Sequence, residues 1–233
     1  MPFDEIFRED PWPQADNYSH VLTVGGDGTV LSVAHRVGSE VLVAGLRSSD
    51  SSIGYLCGYG HEEAARLVGD LIRGTMKVIS VARMKAAVSR LADGGREELS
   101  PPILNEVLFS HCHPAGTSRY VIDWQGRREM QRSSGIWIST AIGSTGAMSA
   151  AGGKPMPEAS TQFQFVVREL FHPADTKLEI GRGVFDPNSS PLVIENRSEN
   201  SLLAFDGLHG SMPIGFGERV RFLRTEPMQL ARP

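Results

Sequence analysis

The chain has 233 residues, 40% hydrophobic and 21% charged, with a formal net charge of −4. These figures describe a folded globular protein with room for one large domain or two small ones. Without a basic tract they exclude nucleic acid as the main partner, because such binding rests on clustered Lys and Arg.

The first segment, to about Asp16, opens Met1-Pro2-Phe3-Asp4-Glu5 and contains Pro11 and Pro13. It reads as an irregular arm. No apolar run follows a charged head, which argues against a signal peptide and against an Arg-rich transit peptide. No apolar stretch approaches the ~20 residues needed to cross a bilayer, so no membrane partner is expected. Nothing requires the two cysteines, Cys57 and Cys112, to pair. Free thiols in a reducing compartment are the simpler reading, and the cytoplasm is the expected location.

Val21-Leu22-Thr23-Val24 is a candidate buried strand. Read as apolar on both faces, it is expected at the centre of its sheet, with Val41–Leu46 on one side. The N-terminal arm or a partner chain is expected on the other. The strand runs into Gly25-Gly26-Asp27-Gly28-Thr29, after which Val30, Leu31, Val33, Ala34 and Val37 fall at helical spacing. A second apolar run, Val41 to Leu46, precedes a polar loop, Arg47 to Ser52. Then a helix carries Ala64, Ala65, Leu67, Val68, Leu71 and Ile72 on one face. The alternation predicts a parallel sheet in an α/β layer.

Near Gly74 the pattern changes. Asp93-Gly94-Gly95 is a hairpin candidate after Ala86–Leu91, and Gln125-Gly126 another after Arg119–Trp124. Ile136–Ile138, Phe163–Val167, Lys177–Ile180, Leu192–Glu195, Leu202–Phe205 and Val220–Leu223 continue as short strands. Closely spaced short strands predict a β-sandwich-like second domain. The expected organisation is α/β + β, an α/β domain over 1–76 and an all-β domain over 77–233.

The glycine loop is the most informative stretch. Glycines let the backbone turn sharply and leave N–H groups and a helix N-terminus facing an anion such as a phosphate. An aspartate inside such a loop repels phosphate, but it suits a carboxylate that orients a hydroxyl or accepts its proton. A tight turn with Asp27 as N-cap explains the same residues. No Gly-Lys-Ser or Gly-Lys-Thr follows, so this is not a Walker loop.

Further motifs in order separate these readings. GGDGT after an apolar strand is common to NAD kinases and to diacylglycerol and sphingosine kinases. Ala44-Gly45-Leu46, a polar loop and Ile53-Gly54-Tyr55-Leu56 resemble the NAD kinase stretch G-I-N followed by G-F-L. Leu104-Asn105-Glu106-Val107 resembles that family's Asn-Glu motif. Ser139-Thr140-Ala141-Ile142-Gly143-Ser144-Thr145-Gly146-Ala147 is similar to its S-T-P-T-G-S-T-A-Y, and Phe205-Asp206-Gly207 to its late Asp-Gly. The chain therefore resembles the NAD kinase family from Val21 to its end. The run from Gly143 to Met148 with Gly152-Gly153 looks more like the divergent organellar branch.

The resemblance implies a shortened Rossmann-like parallel α/β domain, a β-sandwich-like domain, and a C-terminal tail returning to the first domain. It implies transfer of a phosphoryl group from ATP or another donor, with Mg²⁺, to the 2′-hydroxyl of the adenosine ribose of NAD. Asp27 would accept the hydroxyl proton. Gly25, Gly26, Gly28 and Thr29 would border the phosphates. Asn105 and Glu106 would hydrogen-bond NAD, and Thr140, Gly143, Ser144 and Thr145 would pack around it. NAD and ATP are the implied small-molecule partners, in a homodimer or homotetramer. Two alternatives stand beside this reading: an inactive NAD(P)-binding relative, and a lipid kinase sharing only the GGDGT loop.

Three departures from the family pattern are visible. A short arm precedes Val21 where the family has a further strand and helix. Ala147 replaces an aromatic. Ser134-Gly135 and Leu208 stand where Asp-Gly and Gln are frequent. His111 and His113 are too few to make a structural zinc site, and no metal site within the protein is expected. Arg127, Arg128 and Arg132 read as a solvated face.

Overall fold

In the computed structural model, which describes residues 3–7, 10–13, 17–49, 54–175 and 177–233, the apolar run forms β1 (His20–Gly25). The glycine loop leads directly into α1 (Asp27–Ala34), and then come β2 (Leu42–Arg47) and α2 (Ala64–Arg73). Ile53 and the 50–52 part of the polar loop lie outside the described residues, as do 14–16 of the arm. The chain divides into two compact units, 1–79 with 228–233, and 80–227.

In the first unit β1 and β2 run parallel, with Leu22 beside Ala44 and Val24 beside Leu46. Val30, Leu31, Val33 and Ala34 of α1 are buried, and a Cβ on Gly45 would meet Val30, which places α1 over that face. On the other face Leu67 of α2 packs with Ala44, Tyr59 and Ala231. Gly74 ends α2 in the left-handed region, φ 65°, its N–H returning to the Asp70 and Leu71 carbonyls. The last residues of the chain add a third parallel strand, pairing Gln229 with Leu42 and Leu230 with Val43.

The central position expected for β1 is not found. Among the described strands β1 pairs with β2 alone, so it is an edge. Leu22 and Val24 are 39% and 62% exposed. The reason is coverage: α2 packs over β2 and the C-terminal strand, leaving the corresponding face of β1 open. The β2 neighbour opposite β1 comes from residues 229–230, which no local pattern around Val21 reveals.

The second unit is built from β3 (Lys77–Arg90), β4 (Arg96–Leu99), β5 (Glu106–His111), β6 (Ser118–Trp124) and β7 (Arg127–Ser133). There follow β8 (Ile136–Ser139), the short helix α3 (Ala147–Ala150), β9 (Phe163–Val167), β10 (Arg182–Phe185) and β11 (Val193–Asn196). β12 (Ser201–Phe205), β13 (Gly210–Ile214) and β14 (Arg219–Arg232) complete it. The chain leaves the first unit within β3 and returns within β14.

One sheet has the order β10-β9-β8-β5-β12-β13, antiparallel throughout. Further antiparallel pairings run β14-β11-β6-β7 and through the β3–β4 hairpin, and β3 also pairs with β14. Between these layers lies one core, with Val107, Phe109, Ile136, Ile138, Phe163, Phe165 and Phe205 from one side and Met84, Val88, Tyr120, Ile122, Ile194 and Phe222 from the other. Alternate residues of each strand point inward, the arrangement of a sandwich.

Two details differ from the sequence reading. Residues 177–180 form no strand; the Glu179 and Ile180 amides donate to the Glu129 carboxylate instead. β10 and β13, which carry Gly183 and Pro213, are not among the strands expected from the sequence. Both are edge strands, where Gly and Pro are tolerated because one side needs no ladder.

Candidate functional site

The first cluster lies at the β1–α1 junction. A Cβ at Gly25 would fall 2.2 Å from Thr29 Oγ1, so the loop closes tightly there. At Gly28 a Cβ would meet nothing within 4 Å, which leaves open space beside the helix N-terminus. Gly26 precedes the helix and Thr29 donates its N–H to the Gly26 carbonyl at 2.9 Å.

Asp27 is held by the segment that carries the second family-like motif. Its Oδ1 accepts from the Leu56 and Cys57 amides at 2.9 and 3.3 Å, and its Oδ2 from the Tyr55 amide at 3.0 Å. A carboxylate oxygen has two lone-pair directions, so Oδ2 keeps one for a further donor. Burial, and then the neighbouring Asp27 charge, push the Cys57 thiol up to about 11, which removes it as a nucleophile at neutral pH.

Two cations escape the sequence reading. Arg47 stands opposite Gly25 in the β1–β2 register, and Arg232 donates to the Tyr55 carbonyl at 2.9 Å. Arg47 follows the Ala44-Gly45-Leu46 motif and so had a local signal. Arg232 had none, because it reaches the segment from the other end of the chain.

The second cluster lies at the start of β5. Val107 and Phe109 face the core, so Glu106 faces the other way, beside Ser139 of β8 in register. Glu106 is 8% exposed; burial, and secondarily the Asp206 carboxylate, raise its pKa to about 7. Asn105 Oδ1 and Ser139 Oγ are buried without a hydrogen-bond partner. Buried acceptors left unpaired cost about 1–3 kcal/mol each, so a ligand bringing donors recovers that cost.

The 140–145 loop packs on this strand end. Thr140 Oγ1 donates to the Leu104 carbonyl at 2.5 Å and its N–H to the Asn105 carbonyl at 2.9 Å. A Cβ at Gly143 would fall 2.3 Å from the Asn105 carbonyl oxygen. Ser144 Oγ donates to Ala141 and accepts from the Met156 amide at 2.8 Å. Thr140, Gly143 and Ser144 thus build the loop, and Thr145 alone of the four is partly exposed. The structure therefore gathers Gly25, Gly26, Asp27, Gly28 and Thr29 in the first unit, and Asn105, Glu106 and the 140–145 loop in the second.

Two hollows of about 340 and 490 Å³ flank the β5–β6 connection, but neither is lined by these candidate residues. The buried unpaired acceptors locate the site better than the hollows do, because they name a chemical need. His111 Nδ1 accepts from the His113 amide at 2.9 Å, and among the described residues no three His, Cys, Asp or Glu gather as metal ligands. Arg127 and Arg128 pair with Glu179 and Glu195. No helix of the described residues is long and apolar enough to cross a membrane.

No protein-family model matches the chain. A rice protein described as a probable NADH kinase (Oryza sativa subsp. japonica) is 27% identical over 230 residues, covering 89% of this chain and 69% of the relative. The NADH kinase of Arabidopsis thaliana is 28% identical, over 89% of this chain and 70% of that protein. The NAD kinase of Methanopyrus kandleri is 28% identical, over 78% and 66%. Among solved structures, yeast NADH kinase complexed with NADH aligns with a TM-score of 0.78 at 16% identity, covering 93% of this chain and 62% of that one. An Archaeoglobus fulgidus NAD kinase in complex with ATP aligns with a TM-score of 0.72 at 20% identity, over 94% and 81%. At these identities the structural likeness speaks for the fold, the two-part architecture of those kinases.

Proposed function

We infer that this chain, a member of the NAD and NADH kinase family, transfers a phosphoryl group to the 2′-hydroxyl of the adenosine ribose of NAD. The observation that carries the reading is the buried, unpartnered Asn105 Oδ1 next to the Glu106 carboxylate. Vicinal ribose hydroxyls bring the donors such acceptors lack. A lipid acceptor would bring none of that pairing.

In the reaction the ribose 2′-oxygen attacks the terminal phosphorus of ATP. The new O–P bond forms as the bond to the ADP oxygen breaks, and the hydroxyl proton passes to Asp27. Positioning does most of the work in such transfers. The open space at Gly28 suits close approach of phosphates to the loop, and Gly25, Gly26 and Thr29 shape it. Thr145 and the surface of the 140–145 loop border the NAD side. Mg²⁺ fits as an ion carried by the donor's phosphates, since it is usually held by one or two carboxylates plus substrate phosphates. It would neutralise charge on those phosphates.

The same reading gives the first unit the phosphoryl donor and the second the NAD. It places the chain in the cytoplasm as a homodimer or homotetramer. Two free cysteines and an exposed β1 edge support those placements. The test is direct: purified chain, Mg²⁺, ATP and NAD, assayed for NADP. NADP formation is expected. Tight NAD binding without turnover would instead mark a binding relative, and phosphorylation of diacylglycerol with NAD left untouched would sink the reading.

A further inference from the structure

The polar backbone groups of 104–106 are all accounted for within the second unit. The Asp206 carboxylate accepts the Leu104 amide at 2.9 Å, the Asn105 amide at 2.7 Å and the Glu106 amide at 3.0 Å. In return the Asp206 amide donates to the Glu106 carbonyl at 3.0 Å. Thr140 takes the other two carbonyls, Leu104 with its hydroxyl and Asn105 with its N–H. With every N–H and C=O of the segment engaged, its backbone has nothing to gain by rearranging. What remains is the two side chains, one of them with a buried orphan oxygen.

Asp206 is 1% exposed and sits at φ 43°, next to Gly207 at φ 72°, in the turn between β12 and β13. A non-glycine residue in this region is uncommon, and Asp and Asn are the side chains that tolerate it best. The turn aims the carboxylate at three consecutive amides. Such bonds to an ionised acceptor are roughly twice as strong as neutral ones. A neutral amide at this place would offer one acceptor oxygen and an NH₂ facing an N–H.

We propose that Asp206 is a positioning residue that fixes the Asn105–Glu106 backbone, and so the direction of both side chains, before the nucleotide arrives. The proposal rests on the reading of Asn105 and Glu106 as NAD-binding groups. It assigns Asp206 no contact with the reacting atoms. Its charge also acts on Glu106, which it helps to keep protonated.

Asp206→Asn is the informative variant, because asparagine keeps the turn conformation and changes the acceptor. At pH 8, where Glu106 is ionised in both proteins, the folded variant is expected to bind NAD about tenfold more weakly or worse, the scale of losing hydrogen bonds to a charged group. KM for NAD should rise while kcat changes less, the mark of lost ground-state positioning. By NMR the Leu104, Asn105 and Glu106 amides should lose exchange protection, and the Glu106 titration should move down from about 7. A folded Asp206→Asn with wild-type NAD affinity overturns the proposal.

If Asp206→Asn does not fold, the wild-type chain still decides. The three amides should be equally protected with and without NAD, and protection that appears only with NAD overturns the idea of a preset segment. A wild-type chain that binds no NAD, yet protects these amides when free, would remove the functional reading and leave the hold of Asp206 on 104–106 standing.

Discussion

Asp27 and Glu106 are both carboxylates beside backbone, and the proposed function gives them opposite ends of the chemistry. Asp27 is part-exposed at a loop with open space, while Glu106 is buried. Asp27→Asn is expected to keep the fold and NAD binding and to lower turnover by ~10²-fold or more, the scale of a positioned general base. Near-normal NADP formation by that variant removes Asp27 from the proton transfer. Glu106 yields a pH signature. Its folded pKa of about 7 lies above the ordinary 4.5, so between those values the folded chain holds a proton that the unfolded chain has lost. Stability from this group is therefore full below about pH 4.5 and falls as pH rises through 7, by on the order of 3 kcal/mol. Glu106→Gln should flatten that fall, giving a variant more stable than wild type at pH 8 in urea melts. The ionised carboxylate is a stronger acceptor for ribose hydroxyls than the neutral acid, so wild-type NAD affinity should rise from pH 6 to pH 8 and the variant's should not. Equal pH slopes for the two proteins would count against this role for Glu106.

At the scale of elements, two glycines set how closely loop and backbone approach. Gly143 lets the 140–145 loop lie against the Asn105 backbone, and a Cβ there meets carbonyl O and Cα at 2.3 and 2.7 Å. Backbone cannot yield as a side chain can. Gly143→Ala should cost about 1–3 kcal/mol, the range for overpacking, and weaken NAD binding with it. Denaturant melts and calorimetry check both. Gly28 is the counterpart: its Cβ would find open space. Gly28→Ala should leave stability unchanged or slightly raised, by about 0.4–1 kcal/mol, because alanine restricts the unfolded chain. A loss of turnover in that stable variant would report crowding of the phosphates. Unchanged turnover would mean that the donor stays clear of the loop.

For the molecule as a whole, the exposed flank of β1 matters most. An edge strand with Leu22 and Val24 open to solvent offers unpaired backbone and apolar surface to another chain. We expect a dimer or tetramer by light scattering at micromolar concentration. Val24→Lys, at a position 62% exposed, should spare the fold and shift the distribution toward smaller species if β1 takes part in assembly. A wild-type monomer with full activity would refute the oligomeric reading.

The sequence by itself determined the order of elements and the chemistry-bearing loops. Helical spacing after GGDGT, the hairpin turns at Gly94 and Gly126 and the sandwich of short strands are local patterns, written within a few residues of where they act. Asp27, Asn105 and Glu106 were legible as motifs for the same reason. Tertiary structure alone decided what those residues touch. Asp206 meets the Asn105 amide across 101 positions of sequence, and Arg232 meets Tyr55 across 177. Ser139 becomes a buried orphan because its register puts it beside Glu106. β2 is flanked on its far side by residues 229–230, while β1 has no described strand on its own far side. Periodicity reports which face of an element is apolar. It carries no record of which distant backbone group completes a hydrogen bond or which strand covers a flank, and those pairings set the site.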